Sequence, residues 1–280
     1  MDRLQHAIAQ ARAARQAVLA RAAAADPAPA PATEAAAAPA ADDGARWNAL
    51  QVFTPSDDVL ATNLVVTQKG GPEAAPFDVL RTRAIQQMGQ KDWTSLAVTS
   101  PDPGCGKSTV TMNLAFSLAR LEDRRIVVVD LDLRRPALAN LLGFAGDHSV
   151  CRVLQGQSDV ADQMIRVSPN LAFLTTAKPV RTPSELLQGG RLTKMLDRIR
   201  HDYAPDILLF DLPPLMVSDD ALAFLPLVDC ALMVAAAEQS TLRQVDNCEK
   251  EIATQTAMLG VVLNRCAHPG PRYGYGYGSY

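Results

Sequence analysis

The chain alternates between short runs of apolar residues and segments in which apolar residues recur at helical spacing. The runs are typical of buried strands, which we predict at Ser95–Thr99, Ile126–Asp130, Leu171–Leu174, Ile207–Asp211, Ala231–Ala235 and Gly260–Asn264. Helical spacing is found at residues 78–90, 108–121, 184–202, 219–225 and 240–256. Strands that alternate with helices favour mostly parallel sheets covered by helices on both faces. The pattern therefore predicts an α/β fold with a doubly wound, mostly parallel sheet.

The two ends of the chain differ in composition from this central region. Residues 1–25 contain a helical pattern with a narrow, Ala-rich apolar stripe, which is typical of a helix that either frays or docks onto a partner or a membrane surface. Residues 26–46 are rich in Ala and Pro, which favours an extended, disordered spacer. We therefore predict a globular domain over residues 47–264, followed by a disordered Tyr/Gly tail over residues 265–280.

The composition argues against several classes of protein. The 280 residues include 27 Lys and Arg and 30 Asp and Glu, for a formal charge of −3, whereas a nucleic-acid-binding domain is expected to be strongly basic. The longest apolar run, Cys230–Ala237, is much shorter than the roughly 20 residues of a membrane-spanning helix. The 5 cysteines form no CxxC pair, which suits a reducing compartment. We predict a cytoplasmic protein with no transmembrane segment of its own and no nucleic-acid partner.

The segment from Ser100 to Thr109 has the features of a phosphate-binding loop. It reads Ser-Pro-Asp-Pro-Gly-Cys-Gly-Lys-Ser-Thr, and it follows a predicted strand and opens a predicted helix. Gly104 and Gly106 let backbone N–H groups turn toward phosphate oxygens, and the helix N-terminus adds its partial positive charge. Lys107 is expected to reach the β- and γ-phosphates of a nucleotide, and the Ser108 hydroxyl to join a Mg²⁺ shell.

Two further predicted strands end in carboxylates. Asp130 and Asp132 lie two residues apart and therefore face the same side of extended backbone. Asp211 ends another apolar strand, just before Pro213-Pro214. Ligands of open α/β sheets bind at the carboxyl ends of the strands, so the three aspartates are expected to converge on the phosphate-binding loop. Mg²⁺ prefers a few carboxylates together with water and phosphate oxygens, which fits this set.

In this order, the motifs resemble those of the bacterial tyrosine kinases, the autokinases that work with membrane-bound polysaccharide co-polymerases in exopolysaccharide or capsule export. The resemblance covers about residues 73–280 and includes Thr182-Pro-Ser-Glu-Leu-Leu187, Leu259–Asn264 and the C-terminal tyrosines. It implies a P-loop NTPase fold and an ATP- and Mg²⁺-dependent kinase that phosphorylates its own tail and regulates polysaccharide polymerisation and export. The implied partners are other copies of the chain and a membrane-bound co-polymerase or chain-length determinant protein, which would recruit the kinase to the inner face of the membrane.

The resemblance also implies roles for individual residues. Lys107 would bind phosphates, and Asp132 would orient or deprotonate the incoming tyrosine hydroxyl. Mg²⁺ would be held by Ser108, Asp130 and Asp211. Nucleotide contacts would come from Gly104, Cys105, Gly106, Lys107, Ser108, Thr109, Arg134 and Asn264, with Asn264 at the adenine. The phosphate acceptors would be Tyr273, Tyr275, Tyr277 and Tyr280, phosphorylated by a neighbouring subunit.

The composition of the tail suits that role. Glycines between the tyrosines keep the backbone flexible enough to enter a partner's active site. Residues 265–280 contain Arg265 and Arg272 and no acidic residue, and each phosphotyrosine adds roughly −1.5 to −2 charges. Phosphorylation would therefore turn a basic tail acidic and weaken its docking against a carboxylate-lined site. The alternative is a tail that is never phosphorylated.

The chain departs from the family in three places. The usual oligomerisation motif, E-x-x-R-x-x-R, falls on Ala75, Asp78 and Arg81, so only its last residue is present. Cys105 replaces a Glu that is common in the family, and the membrane-spanning half found in part of the family has no counterpart in this sequence, which we interpret as the form that is a separate cytoplasmic chain. Pro101 also replaces the first glycine of the general P-loop pattern. Cys105 is interpreted either as a small residue at a variable position or as a thiol whose oxidation blocks ATP binding.

Other interpretations remain open at this point. A partitioning or positioning ATPase of the deviant-Walker type shares the fold, but its extra P-loop lysine corresponds to Asp102 here. A non-catalytic ATP-binding scaffold of the export complex would keep the same phosphate motifs. Arg134-Arg135 is also typical of a solvated charge pair, and Asp219-Asp220 of a helix cap.

Overall fold

The structure, a computed structural model, describes residues 43–180 and 183–266. The N-terminal helix predicted over residues 1–25, the linker up to residue 42 and the tail tyrosines lie outside these ranges.

The helices are α1 (Asp43–Asn48), α2 (Asp57–Thr62), α3 (Ala75–Gly89), α4 (Lys107–Ala119), α5 (Leu138–Leu142), α6 (Val150–Leu154), α7 (Val160–Gln163), α8 (Pro183–Leu187), α9 (Gly190–Tyr203), α10 (Asp220–Phe224) and α11 (Leu242–Gln255), with a 3₁₀ turn at Leu225–Leu227. Helix α1 crosses the boundary predicted between the linker and the globular domain.

The described residues form one eight-stranded sheet. Its strands are β1 (Gln51–Val52), β2 (Ser95–Thr99), β3 (Ile126–Asp130), β4 (Met164–Ser168), β5 (Leu171–Leu174), β6 (Ile207–Asp211), β7 (Cys230–Ala236) and β8 (Ala257–Asn264). Their order across the sheet is β1-β4-β5-β3-β6-β2-β7-β8, and all neighbours are parallel except β4 and β5. The predicted mostly parallel α/β sheet is therefore confirmed.

Several elements differ from the sequence prediction, among them the short helices α1, α2, α5, α6 and α7, which were not predicted. The segment predicted as one helix over residues 184–202 forms two helices, α8 and α9, because Gly189 and Gly190 interrupt it. Strands β1 and β4 were not predicted. Strand β1 has only two residues, and β4 mixes polar and apolar residues without strict alternation, so neither produces a clear pattern.

The central strands are apolar throughout because both of their faces are covered. In β3, Val127 and Val129 belong to one buried hydrophobic cluster, and Ile126 and Val128 belong to a second cluster on the opposite face. Successive side chains of a strand point to opposite faces, so a strand covered on both sides needs an uninterrupted apolar run. The end of the apolar run therefore sets the residue at which each central strand ends.

Strand order brings the carboxylates together. Strand β6 lies between β3 and β2, and β2 leads into the P-loop. Asp130 and Asp211 are directly paired in the register of β3 and β6. The two aspartates therefore lie side by side at the carboxyl edge of the sheet, next to the P-loop.

Helix α3 is held on α4 by a cluster of charged and polar side chains. Arg81 donates from Nη1 to the Ser117 carbonyl (3.0 Å) and lies 3.2 Å from Asp78 Oδ1. Asp78 also pairs with Arg120 and accepts a hydrogen bond from Ser117 Oγ (2.6 Å). Arg81, the one residue that matches the oligomerisation motif, is thus engaged within the chain, whereas Arg83 is exposed.

Candidate nucleotide-binding site

The P-loop connects β2 to the N-terminus of α4. Gly104 (φ +83°) and Gly106 (φ +87°) have left-handed backbone, and Gly106 is the N-cap residue of α4. Left-handed backbone is readily adopted by glycine, so these residues permit the turn that leads into the helix. The unpaired N–H groups and the dipole of a helix N-terminus favour an anion at this position.

Asn264, at the end of β8, lies against this loop. Its Nδ2 donates a hydrogen bond to the Cys105 carbonyl (2.9 Å). A Cβ atom at Gly106 would lie 2.3 Å from the same nitrogen, which no normal contact permits. Asn264, which the resemblance assigns to the adenine, thus also braces the P-loop from a strand far along the chain.

Replacing Gly106 by Ala is expected to weaken nucleotide binding at least about tenfold, because left-handed backbone costs an L-residue roughly 1–2 kcal/mol and the new methyl group would displace Asn264. Titration with a fluorescent ATP analogue measures the effect. Gly89→Ala is the matched control, since a Cβ there meets nothing within 4 Å. Unchanged affinity in Gly106→Ala would contradict the proposed packing of the loop.

Lys107, the first residue of α4, lies between two carboxylates. Its Nζ is 2.8 Å from Asp132 Oδ2 and 3.3 Å from Asp211 Oδ2. Burial by itself lowers the pKa of Lys107, but the charges of Asp211 and Asp132 raise it above its ordinary value. Lys107 is therefore a buried cation that is paired before any nucleotide binds.

Asp211 is surrounded by donors from α4. Its Oδ2 accepts a hydrogen bond from Ser108 Oγ (2.6 Å), and its Oδ1 lies 3.3 Å from Thr111 Oγ1. The carboxylate is fully buried at the end of β6, and this burial raises its pKa although Lys107 and Ser108 act in the opposite direction. The Ser108 hydroxyl donates to Asp211 and accepts a hydrogen bond from Lys107 Nζ (3.1 Å), which leaves one oxygen lone pair for another ligand.

Asp130 has one oxygen that is bonded and one that is not. Its Oδ2 accepts a hydrogen bond from the Leu138 N–H (3.1 Å), whereas the buried Oδ1 has no hydrogen-bond partner among the described residues. Burial, and then the neighbouring charge of Asp211, raise the pKa of Asp130 well above its ordinary value. Such a group is stabilised by a proton or by a cation.

These oxygens fit Mg²⁺. The fit rests on the unpartnered Oδ1 of Asp130, which lies at the carboxyl edge of the sheet beside Asp211, whose Oδ2 holds the Ser108 hydroxyl. Mg²⁺ takes one or two carboxylates and completes its shell with water and phosphate oxygens. Within residues 43–180 and 183–266, no three His, Cys, Asp or Glu side chains form a metal cage by themselves.

Asp132 follows β3 and turns back toward the P-loop. Its Oδ1 accepts a hydrogen bond from the Arg135 N–H (3.0 Å), and its Oδ2 faces Lys107. The residue is only 3% exposed. The turn holds one carboxylate oxygen in place and directs the other at the lysine of the P-loop.

Other predicted site residues have different surroundings. Arg134 is exposed, as the solvated charge it resembles in the sequence would be, but it also binds Asp220 through two nitrogens. Asp219 is the N-cap residue of α10, as the sequence predicts, although its side chain makes no capping hydrogen bond. Cys105 is buried, with its Sγ 3.7 Å from Ser240 Oγ. Thr109 lies partly buried in the first turn of α4.

Sequence reasoning missed two residues that support the site. Thr111 lies one helical turn after Lys107, a spacing that puts both on one face of α4 and could have revealed it. Gln244 in α11 donates to the Asp102 carboxylate of the P-loop. Its only local signal is a capping box with Thr241, which predicts the helix start but not the contact with Asp102.

A large concavity of the described residues lies elsewhere. It has a volume of about 710 Å³ and is lined by residues of α6, α7 and α9 and the turn between α6 and α7. Two of the cations along it, Arg191 and Arg198, are engaged with backbone carbonyls and with Asp159, respectively. Cavity size alone therefore does not identify the nucleotide site; the converging side chains do.

Comparisons with known proteins agree with this geometry. Residues 93–275 match the ParA family, described as NUBPL iron-transfer P-loop NTPases. The chain is similar to the putative tyrosine-protein kinase EpsB of Ralstonia nicotianae, with 34% identity over 214 residues, covering 75% of this chain and 28% of EpsB. It is also similar to the tyrosine-protein kinase CpsD of Streptococcus agalactiae, with 27% identity over 207 residues, covering 73% of this chain and 88% of CpsD.

A solved structure gives the same result. The VpsO kinase domain is 27% identical, with a TM-score of 0.62, and the match covers 69% of this chain and 96% of that domain. The resemblance to bacterial tyrosine kinases and the P-loop NTPase fold are thereby confirmed.

The chain spans little more than a quarter of the length of EpsB. In the part of the chain that the structure describes, no helix is both long and apolar enough to cross a membrane.

Proposed function

The chain belongs to the ParA family of P-loop NTPases, and on this premise we propose that it is a protein-tyrosine autokinase that uses ATP and Mg²⁺. The kinase relatives support this activity over the iron transfer in the family's description. The observation that carries the proposal is the contact between Lys107 Nζ and Asp132 Oδ2 (2.8 Å). This contact places the Asp132 carboxylate beside the phosphate-binding lysine, in addition to the Asp130 and Asp211 carboxylates, which suit Mg²⁺.

We assign nucleotide and metal binding to the residues around the P-loop. The loop and the N-terminus of α4 would hold the phosphates, and Lys107 would exchange part of its contact with Asp132 and Asp211 for phosphate oxygens. Ser108, Asp130 and Asp211 would hold Mg²⁺ directly or through water. When bound, Mg²⁺ supplies charge neutralisation on the phosphates.

Asp132 would act on the acceptor. Its Oδ2, which faces Lys107 in the nucleotide-free protein, would accept the proton of the tyrosine hydroxyl, or orient that hydroxyl, as the oxygen forms a bond to the γ-phosphorus and the bond to the β-phosphate oxygen breaks to release ADP. Lys107 stabilises the charge on the transferred phosphoryl group. Phosphoryl transfer depends mainly on such positioning and electrostatic stabilisation.

We further propose that the kinase acts with a membrane-bound polysaccharide co-polymerase or chain-length determinant protein, which would recruit it to the inner face of the membrane. The motif resemblance supports this partner. The positioning-ATPase alternative is weakened because Asp102, at the place of its signature lysine, accepts a hydrogen bond from Gln244.

Replacing Tyr273, Tyr275, Tyr277 and Tyr280 by Phe is expected to remove at least about 90% of the incorporated phosphate and to leave ATP binding unchanged. The chain has 5 tyrosines, so the variant retains only Tyr203, which is 2% exposed and therefore a poor acceptor. Intact-mass and peptide mass spectrometry with and without MgATP measures the phosphate and its position. Tyr203→Phe is the control and is expected to be phosphorylated like the wild type.

Two results would overturn the proposal. Undiminished phosphate in the quadruple variant would move the acceptors outside the tail. A wild-type tail that stays unmodified while ATP binds, even with the cytoplasmic segment of the co-polymerase added, would favour the scaffold or the positioning ATPase.

A further inference from the structure

Asp220, at the start of α10, is a buried carboxylate bonded to three side chains. Arg134 donates from Nε to Oδ2 (2.5 Å) and from Nη2 to Oδ1 (3.3 Å). Ser184 Oγ lies 2.5 Å from Oδ1, and Ser218 Oγ lies 2.9 Å from Oδ2. The side chain of Asp220 is only 1% exposed, and a carboxylate in that environment stays charged only when it is paired.

The bonding keeps Asp220 ionised. Burial by itself raises its pKa, but the hydrogen bonds from Arg134, Ser184 and Ser218 hold the pKa below its ordinary value. The bond to Asp220 in turn raises the pKa of Arg134. A paired carboxylate with donors on both oxygens has a defined orientation, so it can hold its donors in place.

The three donors come from three different connections of the sheet. Arg134 lies two residues after Asp132, in the connection that follows β3, and Ser218 lies in the segment that follows β6. Ser184 belongs to α8, after β5, in the Pro-Ser-Glu-Leu-Leu part of a sequence motif that the proposed reaction does not use. Since β5, β3 and β6 are neighbours in the sheet, Asp220 links three adjacent connections at one point.

Arg134, which is bonded to Asp220, is separated by a single residue from Asp132, the proposed base. Leu133, between Asp132 and Arg134, is 1% exposed, and its carbonyl accepts a hydrogen bond from the Val180 N–H (2.8 Å). Three consecutive residues are therefore fixed: Asp132 by Lys107, Leu133 by packing and Arg134 by Asp220. A shift of Arg134 would be transmitted to Asp132 through a single buried residue.

We propose that Arg134 and Asp220 are positioning residues that hold the Asp132 carboxylate beside Lys107, an inference that rests on the proposed function. This differs from the nucleotide contact that the family resemblance implies for Arg134. The two roles predict different losses. A phosphate ligand contributes to nucleotide affinity, whereas a positioning residue contributes to the rate of transfer at saturating nucleotide.

The test uses the full chain with Asp220→Asn, Arg134→Gln and the double variant. Each single variant is expected to lower kcat for tail phosphorylation about tenfold and to change the Kd of a non-hydrolysable ATP analogue less than twofold. Because the two residues form one contact, the double variant is expected to be no slower than the slower single variant. Asp123→Asn, which removes an exposed charge just before β3, at the opposite end of that strand from Asp132, is the control and is expected to retain kcat within about twofold.

Hydrogen exchange of residues 131–137 provides a readout that does not depend on the reaction. The Arg135 N–H, which donates to Asp132, is expected to exchange at least about tenfold faster in both single variants. Arg134 is 40% exposed, so Arg134→Gln is expected to fold even where Asp220→Asn does not. Unchanged exchange, additive losses of kcat, or a loss of analogue affinity with normal kcat would each overturn the positioning role. A wild type that phosphorylates no tyrosine would overturn the proposed function instead, and exchange would still decide the role of Asp220.

Discussion

The Lys107→Met variant is expected to lose ATP-dependent tyrosine phosphorylation by a factor of at least about 10²–10³, which is the usual cost of removing one electrostatic contact to a transition state. Methionine retains the apolar stem but cannot carry the charge that lies 2.8 Å from Asp132 and 3.3 Å from Asp211. The substitution therefore removes a phosphate ligand and also leaves two buried carboxylates without their cation. We expect nucleotide affinity to fall together with the rate.

Peptide mass spectrometry of the tail after incubation with MgATP measures this loss. Lys69→Met is the matched control, because Lys69 is 71% exposed and pairs at the surface with Asp57. Surface ion pairs contribute little, so the control is expected to be phosphorylated at the wild-type rate within about twofold. Undiminished phosphorylation of the tail in Lys107→Met would reject the proposed site.

The Asp130→Asn variant is expected to have opposite effects on stability and on Mg²⁺ binding. Burial and the charge of Asp211 raise the pKa of Asp130 well above 3.8, so the native state binds more protons than the unfolded state between 3.8 and the raised value. Stability therefore falls as the pH rises through that window, and it stays reduced above it. Asparagine cannot ionise, so the variant does not lose this stability as the pH rises, and it keeps the shape of the side chain.

Thermal unfolding without nucleotide tests the first effect. At pH 8 we expect the Tm of Asp130→Asn to exceed that of the wild type by about 2–4 °C, the shift that 1 kcal/mol produces in a domain of this size. The difference is expected to shrink as the pH falls toward 4. With nucleotide present, Mg²⁺ is expected to raise the Tm of the wild type and to have at least about tenfold lower affinity for the variant.

Asp229→Asn is a control of opposite sign. Burial by itself raises the pKa of Asp229, but hydrogen bonds from Ser95 and from the Thr94 N–H hold it below its ordinary value. This carboxylate stabilises the fold above its unfolded pKa, so its replacement is expected to lower the Tm at neutral pH. A lower Tm in Asp130→Asn as well would contradict the view that Asp130 is a costly buried acid in the nucleotide-free protein.

The sequence determined the elements that depend on local pattern. Strands β2, β3, β5 and β6 begin and end at the predicted residues, because a strand buried on both faces requires an apolar run of the same length. The P-loop was evident since its glycines and the start of α4 are adjacent in the chain. The convergence of Asp130 and Asp211 was also predictable, because the ends of parallel strands meet at one edge of the sheet.

The tertiary structure decided which side chains meet. Arg134 and Asp220 are 86 residues apart, and Asn264 reaches the Cys105 carbonyl across 159 residues. Neither contact has a local pattern, because it depends on the order of the strands and on the direction in which each connection leaves the sheet. Arg134 and the acidic pair at 219–220 therefore resembled a solvated charge and a helix cap in the sequence. Periodicity determines which face of an element is buried, and only packing determines the partner that a buried polar group finds.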